Sequence, residues 1–176
     1  DNYGKNPEIT KLVDTTDLWF IPVINVDGYD LTFTPGNRLW RKNARDNDGD
    51  GKLTTADGVD INRNFPYKWG YDNEGSSPSP DSQTYRGAAP GSEPETKAQD
   101  AFVRRVRPTY MINYHSAAEL LLYGVGWQQQ TPSPDDQIFQ ALLGDDDKPA
   151  VPGYDPDLGA ELYITNGDTD GHMAER

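Results

Sequence analysis

The amino-acid sequence predicts an α/β fold, a sheet covered by helices, and three observations carry that expectation. Asp17 to Val26 is dense in β-formers, with Leu18, Trp19, Phe20, Ile21, Val23 and Ile24 in one run. Ala98, Phe102, Val103 and Val106 recur at helical spacing after a proline-marked start. Strand character then returns at Tyr110 to Tyr114.

Each element follows from its residues. Pro7 to Val13 places Ile9, Leu12 and Val13 on one helical face. The run at 17–26 is continuous rather than alternating, which suits a strand buried on both faces, and Asp27-Gly28 closes it as a turn. Residues 28–91 hold most of the Gly and Asn together with eight Asp and read as loop, with Phe33, Trp40, Phe65, Trp69, Tyr71 and Tyr85 giving that loop something to pack. Ser92 with Glu95 forms a capping-box pattern, Pro94 sits in the first turn, and Pro108 ends the helix. Leu120 to Tyr123 reads as a short strand, Asp135 to Leu143 as a helix, and Leu162 to Thr165 as a last strand. No repeat of 20–50 residues is visible.

Composition narrows the function classes. Sixteen Lys and Arg against 29 Asp and Glu give the 176-residue chain a formal charge of −13, which disfavours nucleic acid and anionic membranes. The mean hydropathy is −0.85, consistent with a lean core and much polar loop. There is no Cys, so disulfides, thiol catalysis and thiolate metal sites are excluded. Asp1 to Asn6 is polar and shows no leader pattern. The apolar run Leu18 to Val26 is far short of the ~20 residues a membrane helix needs.

Asp46-Asn47-Asp48-Gly49-Asp50-Gly51-Lys52-Leu53-Thr54-Thr55-Ala56-Asp57 fits a twelve-residue calcium loop. Asp46, Asp48 and Asp50 occupy positions 1, 3 and 5, Gly51 the sharp turn at 6, the Lys52 carbonyl position 7, and Asp57 the place of the usual Glu at 12. Hard Ca²⁺ needs six to eight oxygens, and close carboxylates repel one another without a cation. The loop resembles those of EF-hands and dockerins. A weaker echo of positions 1 to 6 occurs at Asn166 to Gly171.

Several further segments occur in a telling order: Asn25-Val26-Asp27-Gly28-Tyr29, Asn37-Arg38-Leu39-Trp40-Arg41-Lys42, Gly58-Val59-Asp60-Ile61-Asn62-Arg63-Asn64-Phe65, Tyr85-Arg86-Gly87, Ser92-Glu93-Pro94-Glu95-Thr96, then Tyr114-His115-Ser116 running into Leu120 to Tyr123. Together they resemble the zinc carboxypeptidases of the carboxypeptidase A and T type. The resemblance implies a mixed sheet flanked by helices, incomplete at both ends. Residues 1–176 would form the central segment of one catalytic domain, with the calcium loop as an insertion at 46–57. It implies Zn²⁺ and release of C-terminal residues from peptides or proteins; the acidic loop adds structural Ca²⁺ and, because calcium is millimolar outside cells, an extracellular setting, and a monomer is expected.

By the same resemblance His115 matches a zinc ligand. Arg41 matches the arginine that stabilises the oxyanion. Asn62 and Arg63 match the pair that holds the terminal carboxylate, and Arg38 an auxiliary arginine on the entry path. A guanidinium beside a carboxamide is chemically suited to a free α-carboxylate, which it meets with charge-assisted, bidentate bonds.

The pattern also departs from the family. The remaining zinc ligands, a His-x-x-Glu, would lie before residue 1, and the general-base glutamate and the floor of the specificity pocket beyond Arg176. Met173 or Ala174 stands where a substrate-capping tyrosine is expected, and Ala117 where better-known members carry a tyrosine. His172-Met173-Ala174-Glu175 is a His-x-x-Glu in reversed order relative to His115. Two other readings remain: a non-catalytic peptide- or carboxylate-binding module, and a calcium-stabilised structural module.

Overall fold

The computed structural model describes residues 1–129 and 131–174. Helix α1 spans Pro7–Thr15, with the Asn6 side chain accepting from the Glu8 and Ile9 amides and Pro7 in the first turn. Its predicted apolar face, Ile9, Leu12 and Val13, faces solvent.

The run at 17–26 is not a strand. Residues 17–25 have no regular structure, and Phe20 is 83% exposed. A strand exists through its neighbours' hydrogen bonds, and no described segment lies alongside to supply them. The Asp27-Gly28 turn is also replaced, by helix α2 over Val26–Leu31. Asn25 caps it by accepting from the Gly28 amide at 3.0 Å, a local bond that redirects the chain before any turn can form. Tyr110 to Tyr114 and Leu162 to Thr165 likewise form no strand; Leu162 ends a short helix and Thr165 N makes a single bond to the Gly126 carbonyl at 2.7 Å.

Two strands do pair. β1 (Leu120–Tyr123) and β2 (Asp155–Leu158) are parallel, in register from Leu120 with Asp155 to Tyr123 with Leu158. Parallel neighbours need a crossover, and α4 (Asp136–Leu143) supplies it. Tyr123 and Phe139 stack at 5.5 Å and tie the crossover to the sheet. Thus the chain is α/β, with the sheet among the described residues reduced to one βαβ unit.

Helix α3 runs over Pro94–Val106, as its spacing predicts. The capping box does not form. Ser92 Oγ donates to Glu93 at 2.6 Å, and the Glu95 carboxylate accepts from Asn43. The helix ends where Arg107 turns left-handed at φ 52°, ahead of Pro108.

The best-packed region is the long loop segment. Val59 and Phe65 are fully buried, with Ala160 close to it, and around them lie buried Lys42, Asp57, Arg63, Asn64, Glu93 and Asn166. Asn64 alone donates to the Arg86 and Ala89 carbonyls and to Ser92 Oγ, and accepts from the Glu93 amide. Trp69 donates to the Arg86 carbonyl at 2.9 Å. Phe65 and Trp69 thus help to order the loop, whereas Phe33 and Tyr71 are exposed. The remaining helices, α5 (Gly159–Leu162) and α6 (Thr169–Ala174), carry the chain back over this region.

Candidate functional site

Residues 41–45 run beside 57–60. Asn43 N donates to the Val59 carbonyl at 2.9 Å, Val59 N to Asn43 Oδ1 at 2.7 Å, and Gly58 N to the Arg45 carbonyl at 2.7 Å. Gly58 is required there: at φ 77° a Cβ would come within 2.3 Å of the Asn43 carbonyl oxygen. This pairing brings Arg41 to Asp60. Arg41 Nε and Nη2 lie 2.9 and 2.8 Å from Asp60 Oδ2, with the carboxylate nearly buried and the guanidinium side chain 38% exposed. Asp60 Oδ1 accepts from the Asn62 amide at 3.1 Å, which starts the short 3-10 turn Ile61–Arg63.

Arg63 is 2% exposed. Its Nη1 donates to the Asn62 carbonyl at 2.6 Å, its guanidinium lies 5.9 Å from the Tyr163 ring centre, and its buried Nε has no partner. It forms no ion pair among the described residues, so it is not the internal salt bridge that a buried arginine usually makes. Asn62 is half-buried, and its Oδ1 accepts from Thr169 N and Oγ1, both at 2.9 Å.

Thr169 leads directly to Asp170, whose carboxylate accepts from Asn113 Nδ2 two residues before His115. The Asp170 side chain is exposed. Hydrogen bonds therefore link Arg41, Asp60, Asn62 and Thr169, and the adjoining Asp170 meets Asn113, two residues before His115 in sequence. His115 itself is exposed. Arg38 is exposed on its loop and forms no ion pair among the described residues.

Zinc can be tested against the donors present. The one group of three His, Cys, Asp or Glu side chains close enough to share an ion, among the described residues, is Asp46, Asp48 and Asp50. His115 has no such companions, so these residues fit zinc only as a single ligand of a larger set. His172 does not complete it. Its ring is buried, 3.0 Å from Asp100 and 5.4 Å from Phe65 centre to centre, and Glu175 lies outside the described residues.

The acidic loop folds as its glycines allow, Gly49 and Gly51 taking φ of 78° and 74°. The ligand oxygens of Asp46, Asp48 and Asp50 lie within 4.8 Å of one another. Amides of Gly51 and Gly49 hold the Asp46 carboxyl below the usual range. Asp57 stands apart from the trio. It is buried and accepts from Asn47 N at 2.9 Å and from Thr54 N and Oγ1 at 2.7 and 2.9 Å, which lower its pKa and close the loop from within. Buried Lys42 braces the same loop, donating to the Thr55 and Pro80 carbonyls at 2.9 and 2.6 Å. The echo at 166–171 spends its side chains on the protein: Asn166 on Ser76 and Asp72, Asp168 on Thr165 and Gly171.

Sequence reasoning missed Tyr163 and Thr169. The Tyr163 ring lies against the Arg63 guanidinium, a position distinct from Met173 and Ala174. Its sequence signal was faint, one aromatic in what looked like a strand. Thr169 was visible only as a member of the Asn166 to Gly171 echo.

Comparisons agree with the motif order. A family model for zinc carboxypeptidases matches residues 1–150. Metallocarboxypeptidase A of Trichophyton tonsurans is 38% identical over 144 residues, 80% of this chain and 32% of the relative. Mast cell carboxypeptidase A of Rattus norvegicus is 39% identical over 133 residues, 74% of this chain and 31% of the relative. The crystal structure of thrombin activatable fibrinolysis inhibitor superposes with a TM-score of 0.78 at 30% identity, covering 99% of this chain and 44% of that one. Carboxypeptidase A from Helicoverpa armigera follows at a TM-score of 0.66 and 30% identity, covering 96% of this chain and 44% of that one. The chain spans about a third of the length of these curated relatives.

Proposed function

The chain belongs to the zinc carboxypeptidase family, and from that premise we propose that it is a section of a zinc-dependent metallocarboxypeptidase that releases C-terminal residues from peptides. The observation that carries this is Arg63: a buried guanidinium with an unpartnered Nε and no ion pair among the described residues, beside the Asn62 carboxamide. A buried charge without a counter-ion is costly, and a substrate carboxylate would supply the missing anion. An exopeptidase needs such recognition, since only the free chain end carries that group.

In this reading Arg63 and Asn62 fix the terminal carboxylate, with the Tyr163 ring alongside. Arg41 sits at the other end of the Asp60 bridge. Asp60 occupies its Nε and Nη2, so the guanidinium is held in one plane while Nη1 is left for the carbonyl oxygen of the bond being cleaved. A preset cation there stabilises charge that develops only in the transition state, worth about 10²–10³ in rate. Arg38 would draw the carboxylate along the approach. Bound zinc would supply an activated water and a Lewis acid, with His115 as one of its ligands. The described residues present no complete zinc set, so no step is derived through the metal.

The loop at 46–57 is read as a calcium site, with Asp46, Asp48 and Asp50 as carboxylate ligands and the Lys52 carbonyl and Asp57 at positions 7 and 12. The spacing of the three carboxylates supports it. Millimolar extracellular calcium would suit such a loop, and we place the protein outside the cell. No described helix is long and apolar enough to cross a membrane. The partners are peptide or protein C-termini, not nucleic acid or membrane, and the protein acts as a monomer.

The test is calorimetric titration with N-benzoylglycyl-L-phenylalanine and with its C-terminal amide. The acid should bind more tightly, and Arg63→Ala should erase the difference while leaving the amide unaffected. Equal binding of acid and amide to the unmodified chain would refute the reading. Acid binding without hydrolysis in the full-length protein loaded with zinc would favour the non-catalytic binding module.

A further inference from the structure

A carboxamide can face a carboxylate in two ways, and only one is useful. Its NH₂ donates to an anion, whereas its oxygen repels one. Asn62 is held in the useful orientation by the contact with Thr169. Thr169 N is a backbone donor, and a donor cannot be met by another NH₂, so the atom 2.9 Å away must be the carboxamide oxygen. Thr169 Oγ1, also at 2.9 Å, donates to the same oxygen. Asn62 Nδ2, on the other arm of the carboxamide, has no hydrogen-bond partner among the described residues and is left to donate to a ligand.

We propose that Thr169 is a positioning residue, fixing the Asn62 carboxamide so that its NH₂ meets the carboxylate of the bound peptide; this rests on the reading of the site given above. The segment around Thr169 is built to hold it there. Phe65 N donates to the Gly167 carbonyl at 2.8 Å, so residues 62–65 and 167–169 run side by side, joined by backbone at one end and by the Asn62–Thr169 contact at the other. Gly167 permits that approach at φ 67°, since a Cβ would meet the Arg63 carbonyl oxygen at 2.5 Å. On one side Asn166 is pinned by Ser76 and by Asp72. On the other, the Asp168 carboxylate accepts from Gly171 N and Thr165 Oγ1, both at 2.7 Å. Thr169 itself is 6% exposed, so it does not reach substrate but acts through Asn62.

The experiment compares Thr169→Val, which keeps the volume and the backbone donor but loses the hydroxyl, with Thr169→Ser, which keeps both donors. Two readouts are taken. The first needs no ligand: the ¹⁵N order parameter of the Asn62 side-chain amide should be high in the unmodified chain, drop in Thr169→Val and recover in Thr169→Ser. The second is titration with N-benzoylglycyl-L-phenylalanine and its amide. Acid binding should weaken about five- to tenfold in Thr169→Val, the range one hydrogen bond carries, with amide binding unchanged and Thr169→Ser near the original value. An unaltered Asn62 order parameter in a folded Thr169→Val protein overturns the inference whatever the ligand does. A loosened Asn62 with unchanged acid binding overturns its functional half. If the unmodified chain does not prefer acid to amide, the site reading itself fails and the inference falls with it.

Discussion

Arg45 Nε reaches both carboxylate oxygens of Glu93, at 2.8 and 3.0 Å, and so joins the loop at 41–45 to the start of α3. Glu93 is 1% exposed and also accepts from Asn43 Nδ2 at 2.8 Å and from Ser92 Oγ at 2.6 Å. Burial alone would push its carboxyl up, but the bonds from Arg45, Ser92 and Asn43 outweigh it and hold the pKa below the ordinary value. A depressed folded pKa means stabilisation that is complete above the unfolded value of about 4.3 and is lost as pH falls through the folded value. Urea unfolding from pH 7 downward should show that loss below about pH 4.3, and Glu93→Gln should flatten it. Glu93→Ala should cost about 2–3 kcal/mol at pH 7, because Asn43 and the partly exposed Arg45 lose their partner. A substitution that left urea midpoints unchanged would remove Glu93 from the structural account.

Gly167→Ala tests the side-by-side packing of 62–65 and 167–169. The added methyl would come 2.5 Å from the Arg63 carbonyl and 3.1 Å from that of Phe65, at a φ of 67°. Overpacking against backbone and a left-handed alanine together should cost about 2–4 kcal/mol in chemical denaturation. Peptide-acid binding should weaken more than stability alone explains, because the strand of contacts carrying Thr169 is pushed away from Asn62.

Calcium should raise the melting temperature. A ligand that binds only the folded chain, at a hundred times its Kd, should shift Tm by roughly 5–10 °C for a chain of this size. Chelation should reverse the shift, and Asp48→Asn should reduce it. Identical melting curves with calcium and with chelator would leave 46–57 as an acidic loop closed only by Asp57 and Lys42.

The 176-residue chain alone should release no C-terminal residues above background, even with zinc added, since among the described residues His115 belongs to no group of three metal-ligating side chains. Amino-acid release assays on a short peptide measure this directly. Robust turnover would show that the chain assembles a zinc set that its described geometry does not contain.

Helices were the most legible part of the fold. The prolines and apolar spacing of α1 and α3 specify them locally, because a helix satisfies its backbone within itself. Strands were the least legible: the β-formers at 17–26 and 110–114 announce the right propensity, but pairing depends on partners elsewhere, and only Leu120 to Tyr123 finds one, in Asp155–Leu158. The site divides the same way. Arg41, Asn62, Arg63 and the acidic loop stand out in motifs with fixed spacing, whereas Thr169 and Tyr163 lie about a hundred residues further on and carry no local signal.

The sequence by itself determined the donors of the proposed sites: the guanidinium and carboxamide groups of Arg41, Asn62 and Arg63, the imidazole of His115, and the carboxylates of Asp46, Asp48 and Asp50. Tertiary structure alone decided that Arg63 is buried without a counter-ion among the described residues and that Asn62 turns its carboxamide oxygen to Thr169. Both depend on which distant groups come within hydrogen-bonding distance, and hydrogen-bond direction is a property of geometry, not of residue type.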